Sequence, residues 1–170
     1  MSPEATRQVS ALIDRIQTQF HESHRRALPE LLAMAVALEA RGIANGLADE
    51  LRTMGNALEQ HMFKEEMRLF PMMEQGGNTL IGLLIDDLHR EHLAHERAMS
   101  ALRAHLGVLT KAHGTDLALL PFTQGLDDLA AELAQHIRAE DEELFPLFAR
   151  PAAAGSPSTA NPPSHATSTS

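Results

Sequence analysis

One motif occurs in the stretch His61-Met-Phe-Lys-Glu65-Glu-Met-Arg-Leu69-Phe70-Pro71. Its key residues recur in His136-Ile-Arg-Ala-Glu140-Asp-Glu-Glu-Leu144-Phe145-Pro146. Both copies place a glutamate four residues after a histidine, and both continue into Leu-Phe-Pro at the same offset. On an α-helix, side chains four residues apart lie on one face, with Cβ atoms roughly 5–6 Å apart. An imidazole and a carboxylate at this spacing can bind one metal ion or bridge two. The repeat therefore predicts a two-metal site between helices.

The sequence around the two copies has the apolar spacing of amphipathic helices. Four segments carry apolar residues at intervals of three to four positions, and short Gly-bearing stretches separate them. We expect helices at about 3–40, 47–73, 80–106 and either 116–148 or 122–148, with a loop through Gly107 and Gly114. Ser2 and Pro3 suit the start of the first helix, whereas Pro29 predicts a kink or a break near residues 25–28. No β-type alternation of useful length occurs, so we predict an all-α, antiparallel up-down four-helix bundle.

The expected domain organisation is one folded unit followed by a tail. A chain of 170 residues is long enough for a single domain with its own apolar core. We assign residues 1–149 to the bundle and residues 150–170 to the tail. The tail is rich in Pro, Ser, Thr and Ala and cannot bury much apolar area, so we expect it to be disordered.

The composition excludes several classes of function. The formal net charge of −9 argues against nucleic-acid binding, which needs clustered Lys and Arg, and against an electrostatic hold on anionic membranes. The absence of cysteine excludes disulfides, thiol catalysis and thiolate-ligated clusters. No signal-peptide core and no apolar run long enough to cross a membrane occur, so we expect a cytoplasmic protein.

The histidines interrupt the apolar stripes of the four segments rather than their polar faces. His61 and His136 each occupy a position where a leucine would continue the stripe. A buried imidazole or carboxylate is costly without a partner, and a shared divalent cation would satisfy several at once. We predict one metal ligand set from the four segments, namely His21, His61, Glu65, His92, His136 and Glu140.

The remaining histidines divide into possible additional ligands and solvated residues. His24 lies beside two arginines, which favours a supporting or exposed position, while His89 and His95 flank His92 by three residues, and either could add an imidazole. His105, His113 and His165 lie near a loop or in the tail, where solvation is the simpler interpretation. The acidic residues that follow each ligand glutamate are predicted mostly to form a solvated face, and the lesser alternative is that some of them support the metal ligands. They are Glu66, Asp141, Glu142 and Glu143.

The alternative for each His–Glu pair is a surface pair joined by a hydrogen bond. One pair alone would favour that alternative, but two copies in register with the core stripe favour ligation. Nitrogen and oxygen donors without sulfur disfavour structural zinc and copper(I) and suit iron, manganese or cobalt. Ferritin-like centres use Glu-x-x-His, whereas this chain has His-x-x-x-Glu.

The order of these motifs resembles the hemerythrin-like (HHE cation-binding) family, over about residues 8–148. Within that family the chain is most similar to the di-iron domain of the Repair of Iron Centers proteins. The resemblance rests on four motifs, namely His21-Glu-Ser-His24-Arg-Arg-Ala-Leu-Pro29-Glu-Leu, His61-Met-Phe-Lys-Glu65-Glu-x-x-Leu-Phe-Pro, Glu91-His92 and His136-x-x-x-Glu140 with Leu-Phe-Pro.

The resemblance implies two Fe ions in a non-haem, oxo- or hydroxo-bridged di-iron centre. Glu65 and Glu140 would bridge the ions, and His21, His61, His92 and His136 would complete the set. Oxygen-carrying hemerythrins place His-x-x-x-His on the third helix, and no histidine lies four residues from His92. The centre is therefore expected to have open coordination positions, which favours reactivity over reversible oxygen carriage.

The resemblance implies a role in nitrosative or oxidative stress, either binding or reducing NO or donating iron for iron–sulfur cluster repair. The expected partners are O2, NO or peroxide, damaged iron–sulfur proteins and an electron donor. The full-length repair proteins also carry a cysteine-pair module that this sequence lacks. The alternatives are a non-catalytic sensor or store of O2, NO or iron, and a peroxide-consuming di-iron protein. Whether the protein is an enzyme is left open by the sequence.

Overall fold

The computed structural model describes residues 2–114 and 116–148, and these residues form helices joined by turns. The α-helices are α1 (Pro3–Arg15), α2 (Glu22–Ala40), α3 (Leu47–Lys64), α4 (Phe70–Glu74), α5 (Ile81–His113) and α6 (Leu119–Arg138). Three π-helical segments, Ile16–His21, Glu65–Leu69 and Ala139–Leu144, continue directly from an α-helix, and a 3₁₀ turn, Phe145–Phe148, closes the described chain. The tail predicted to be disordered, residues 150–170, lies outside the described residues.

These elements make four long helices, which we call bundle helices 1 to 4. Bundle helix 1 contains α1 and α2, bundle helix 2 contains α3 and α4, bundle helix 3 is α5, and bundle helix 4 begins with α6. Each packs against the next, and α6 also packs against α2, so the four close into a ring. Short turns between consecutive neighbours make their directions alternate. The predicted all-α, antiparallel four-helix bundle is confirmed.

Local sequence explains where most of the helices begin and end. The Ser2 side chain accepts a hydrogen bond from the backbone N–H of Ala5 and caps α1, with Pro3 in the first turn, as predicted. Gly46 and Gly77 have positive φ angles, +86° and +78°, where a side chain would be strained. Glycine is therefore the residue that lets the chain turn between bundle helices 1 and 2 and between 2 and 3.

The structure differs from the sequence expectations at two helix limits. Pro29 lies inside α2, which continues through it, so the segment is not divided near residues 25–28, the alternative given beside a kink. The irregular turn lies upstream, at Ile16–His21. The loop expected from Gly107 onwards is also absent, because α5 continues to His113. A single glycine lowers helix stability by only about 1 kcal/mol, and packing of Leu102 and Leu106 in the core offsets it.

The buried apolar residues form two clusters, one toward each end of the bundle. The larger lies around Leu58, Leu126 and Leu133, and the smaller lies around Ile16, Leu69 and Leu144. On every bundle helix the polar residues described below lie where one cluster gives way to the other. Among the helices of the described residues, none is both long and apolar enough to cross a membrane.

Candidate metal centre

A layer of buried polar side chains separates the two apolar clusters. Every one of its members is at most 4% exposed, which is unusual for imidazole and carboxylate groups. The layer contains all six predicted ligands together with two further histidines. Its members are His21, His24, His61, Glu65, His92, His95, His136 and Glu140.

The backbone near three of the predicted ligands is π-helical. His21 is the last residue of one π segment, Glu65 is the first residue of the second, and Glu140 lies in the third. The second and third correspond to each other, because the N–H of Phe70 donates to the carbonyl of Glu65 and the N–H of Phe145 donates to that of Glu140. Single π turns inside α-helices occur frequently at functional sites.

The second and third π segments each run into the Leu-Phe-Pro ending of a repeat. Pro71 and Pro146 have no backbone N–H, and a proline ring clashes with the carbonyl four residues before it. A widened turn just before each proline relieves that clash. The turn loses no hydrogen bond at the proline itself, because proline has no N–H to donate. The repeated tripeptide thus accompanies the irregular backbone at both carboxylates, whereas Ile16–His21 is π-helical without a proline.

The six predicted residues meet as two groups that share both glutamates. His21 and His136 form one group with Glu65 and Glu140, and His61 and His92 form the other with the same two glutamates. In each group the possible ligand atoms all lie within 4.8 Å of one another. The Nε2 atoms converge in pairs, 3.1 Å apart for His21 and His136 and 3.2 Å apart for His61 and His92. We call these the 21/136 position and the 61/92 position.

Each carboxylate directs one oxygen toward each position. Glu140 Oε1 lies 2.8 Å from His136 Nε2, and its Oε2 lies 2.9 Å from His92 Nε2. Glu65 Oε2 lies 3.3 Å from His21 Nε2, and its Oε1 lies 3.4 Å from His61 Nε2. This is the arrangement that two adjacent cations bridged by two carboxylates require.

The hydrogen bonding of the site fits the presence of a cation. Both oxygens of Glu65 are buried and have no hydrogen-bond partner among the described residues. A buried, ionised carboxylate without a partner is strongly destabilising. Glu140 is also buried, and its Oε2 has no hydrogen-bond partner among the described residues. Two buried carboxylates side by side, surrounded by imidazole nitrogens, match the oxygen and nitrogen donor set of a metal site.

Burial and neighbouring charges shift the pKa values of several groups in the layer. Burial favours the neutral imidazole, but the contacts of His21 with Glu140 and Glu65 outweigh it and raise the pKa of His21 to about 10. The pKa of His92 is also raised to about 10, because Asp141 and Glu140 outweigh burial. Burial and the charge of Glu140 raise the pKa of Glu65. The protein groups alone thus retain protons that a bound cation would replace.

Three acidic residues support the ligand histidines from outside the layer. Glu66 Oε1 accepts a hydrogen bond from His21 Nδ1 at 2.7 Å, Glu91 Oε2 lies 2.8 Å from His61 Nδ1, and Asp141 Oδ1 lies 2.9 Å from His92 Nδ1. A carboxylate at Nδ1 leaves Nε2 free for a metal and fixes the orientation of the ring. Glu66 and Asp141 thus take the supporting position that was the lesser alternative to a solvated face, and the place of each directly after a repeated glutamate was the available signal.

The three additional histidines occupy different places. His24 and His95 are buried but belong to neither group, and His89 lies at the surface with Nε2 3.2 Å from Asp141. Burial lowers the pKa of His24 to about 3 and that of His95 to about 4, with neighbouring histidines adding to the effect. Both are therefore neutral near pH 7. His24 is not exposed despite the adjacent arginines, because Arg25 turns outward to Glu59 and Glu66.

A groove of about 670 Å³ between α3 and α5 leads from the surface toward the layer. Its lining includes small apolar residues such as Ala57 and Ala98 and the polar residues Glu91 and His95. Glu91 contacts His61 directly, and the rings of His95 and His61 lie edge to face with centroids 4.9 Å apart. The groove therefore ends within one side chain of the 61/92 position.

Comparison with known proteins gives one family match and several relatives. The family described as Hemerythrin HHE cation binding domain matches residues 12–148. A protein called iron-sulfur cluster repair protein YtfE from Dickeya chrysanthemi (strain Ech1591) is 31% identical over 144 residues, covering 82% of this chain and 65% of that protein. The protein of the same name from Edwardsiella ictaluri (strain 93-146) is 32% identical over 136 residues, covering 77% and 62%. This chain thus spans slightly less than two thirds of the length of these relatives.

Proposed function

The chain belongs to the hemerythrin HHE cation-binding domain family, and from this premise we propose that it holds two iron ions and acts in the repair of iron–sulfur clusters. The observation that carries the proposal is the sharing of Glu65 and Glu140 by two histidine pairs. A single-metal site would need only one such pair. The relatives named as iron–sulfur cluster repair proteins support the repair role.

The proposed ligand assignment follows the two positions. His21 and His136 hold one ion, His61 and His92 hold the other, and Glu65 and Glu140 bridge them. The donor set contains imidazole nitrogen and carboxylate oxygen without sulfur, which suits iron and disfavours structural zinc. Each position has four protein donors, fewer than an octahedral ion accepts, so each ion retains open coordination sites.

When bound, a pair of adjacent irons supplies exchangeable electrons and open positions for a diatomic molecule. The chain contributes the environment. Apolar clusters on both sides of the layer keep bulk water away, and the buried carboxylates hold the negative charge that balances the cations. The groove between α3 and α5 is wide enough to admit a small molecule as far as His95.

Repair includes two activities that this site suits, namely removal of NO and return of iron to a damaged cluster. Removal of NO would use the open coordination positions. Return of iron would use iron that only exchangeable imidazole and carboxylate ligands hold. Damaged iron–sulfur proteins and an electron donor are the partners proposed for both. We infer the cytoplasm as the place of action, since iron–sulfur proteins and reductants are found there.

The metal assignment is tested by iron analysis after anaerobic reconstitution. We expect two irons for each chain of the parent and fewer than one for Glu140→Gln, because Glu140 reaches both positions. Glu142→Gln is the matched control, since Glu142 lies on the exposed face of the same bundle helix and should keep two irons. Equal iron content in all three proteins would contradict the assignment.

The repair role is tested with a [4Fe–4S] enzyme whose cluster has been damaged by NO. The iron-loaded parent and a reductant should restore its activity, and the iron-loaded Glu142→Gln variant should do the same. Glu140→Gln and the metal-free parent should not. Restoration that is equal with the metal-free parent would contradict the proposal.

A second candidate is a sensor or store that binds iron or a diatomic molecule without turnover. The burial of every ligand favours it, because a centre at most 2% exposed releases iron slowly. NO consumption measured with an excess of reductant separates the two functions. Consumption limited to a stoichiometric amount, together with failure to restore the damaged enzyme, would favour the sensor or store.

A further inference from the structure

The four ligand histidines differ in what supports their outer nitrogen. Nδ1 of His21, His61 and His92 each contacts a carboxylate. Nδ1 of His136 instead lies 3.2 Å from Nε2 of His24, which is fully buried. The other ring nitrogen of His24 has no hydrogen-bond partner among the described residues. With metal on Nε2 of His136, its Nδ1 would carry the proton and donate to Nε2 of His24, an imidazole that brings no negative charge.

The two positions consequently differ in the number of carboxylates that contact the outer nitrogens of their histidines. The 61/92 position has a carboxylate behind both of its histidines, Glu91 and Asp141. The 21/136 position has one carboxylate, Glu66, and the charge of Glu66 is shared with Arg25 at 2.8 Å. Lys64 contacts Glu91 in the same way, and each of these cations also pairs with a second carboxylate, Arg25 with Glu59 and Lys64 with Asp87. The cations are therefore alike at the two positions, and the difference lies in the number of carboxylates behind the histidines.

A carboxylate behind a metal-ligating histidine makes the imidazole a stronger donor, and loss of such a partner typically lowers metal affinity about 10- to 100-fold. We propose that the two metal positions bind with unequal affinity, that the 61/92 position fills first, and that His24 is the positioning residue that keeps the 21/136 position weaker. This inference rests on the two-metal site of the proposed function. It assigns to His24 a role in which a neutral imidazole replaces the carboxylate found at the other three ligands.

The experiment is a titration of the metal-free full chain with Co(II), followed by calorimetry and by the optical absorption of bound cobalt. The parent should show two binding constants that differ about tenfold or more. A crystal grown with one Co(II) for each chain should show anomalous scattering mainly between His61 and His92. Equal constants, or a first ion between His21 and His136, would overturn the inference.

Variants of Glu91 and His24 test whether these supporting residues cause the difference in affinity between the two positions. Glu91→Gln keeps the shape of the side chain and should weaken the tighter constant about tenfold. Glu96→Gln makes the same change on the exposed face of the same helix and should change neither constant. His24→Gln keeps a neutral acceptor and should preserve both constants. His24→Glu should strengthen the weaker constant about tenfold.

The outcomes separate this inference from the two-metal site. If the parent binds two Co(II) ions but Glu91→Gln gives the same constants as the parent, the inference is overturned and the site stands. If the parent binds no cobalt, both are overturned. Should His24→Glu fail to fold, Glu91→Gln and the position of the first ion still decide the question.

Discussion

Glu65 and Glu140 connect the two histidine pairs at the centre of the bundle. Each is fully buried and reaches both histidine pairs, so neither can be replaced by an apolar residue without changing both positions. Their environments differ, since His136, His21 and His61 outweigh burial and lower the pKa of Glu140, whereas burial raises that of Glu65. Identical positions in the repeated motif thus become chemically distinct once the helices pack.

Glycines at two places should respond in opposite ways to the same substitution. Gly46→Ala should lower the free energy of unfolding by about 1 kcal/mol or more, because its φ of +86° strains any side chain. Gly107→Ala should raise it by up to about 1 kcal/mol, because the added Cβ meets no atom within 4 Å inside a continuous helix. Urea denaturation measures both. A change of the same sign in the two variants would contradict this reading of the backbone.

At the level of helices, the π-helical segments distinguish bundle helices 1, 2 and 4 from bundle helix 3. The three irregular helices contribute His21, Glu65 and Glu140 at their widened turns, while α5 contributes His92 from regular α-helix. The widened turns place an extra residue within one turn and so shift the apolar register that follows. Leu69 and Leu144 remain buried in the smaller cluster despite this shift.

Substitutions in α6 test which face of the helix carries the core. Leu126→Ala should lower the free energy of unfolding by about 2–5 kcal/mol, because Leu126 is fully buried in the larger cluster. Leu120→Ala is the matched control in the same helix, where the side chain is 56% exposed, and it should change stability by less than about 0.5 kcal/mol. Chemical denaturation of the metal-free proteins makes the comparison. Equal losses would show that the assigned face is wrong.

For the molecule as a whole, the polar layer joins folding to metal binding. Two apolar clusters stabilise the ends of the bundle, and the layer between them contains buried charged groups that favour the folded state only when they are paired. Bound cations would pair them. The apolar clusters should keep the metal-free protein folded, but with lower stability.

Removal of metal should therefore lower the melting temperature. With free metal at about a thousand times the dissociation constant, binding stabilises by about 4 kcal/mol, which corresponds to roughly 10 °C in a chain of this size. Thermal scans with iron and with chelator measure the shift. Glu140→Gln should show a much smaller difference between the two conditions, and an unchanged melting temperature of the parent after verified metal removal would contradict the coupling.

Several parts of this structure could be predicted because they depend on residues close together in the chain. The 3- to 4-residue apolar spacing specifies helices and their inner faces, and the two His-x-x-x-Glu motifs lie on those faces. Helix limits were less predictable at Pro29 and Gly107, since contacts with neighbouring helices offset the local penalties, about 3 kcal/mol for proline and about 1 kcal/mol for glycine. The Leu-Phe-Pro endings were visible, but their effect on the backbone turns was not predicted.

The sequence by itself determined the four helices, the family resemblance and the residues available to hold metal, because spacing along one helix decides which side chains share a face. Only the tertiary structure decided that Glu65 and Glu140 each face both histidine pairs. It also decided that Glu66, Glu91 and Asp141 support three of the histidines while His24 supports the fourth. These contacts join different bundle helices, so they depend on how the helices rotate and slide against one another, which no spacing within a single helix specifies.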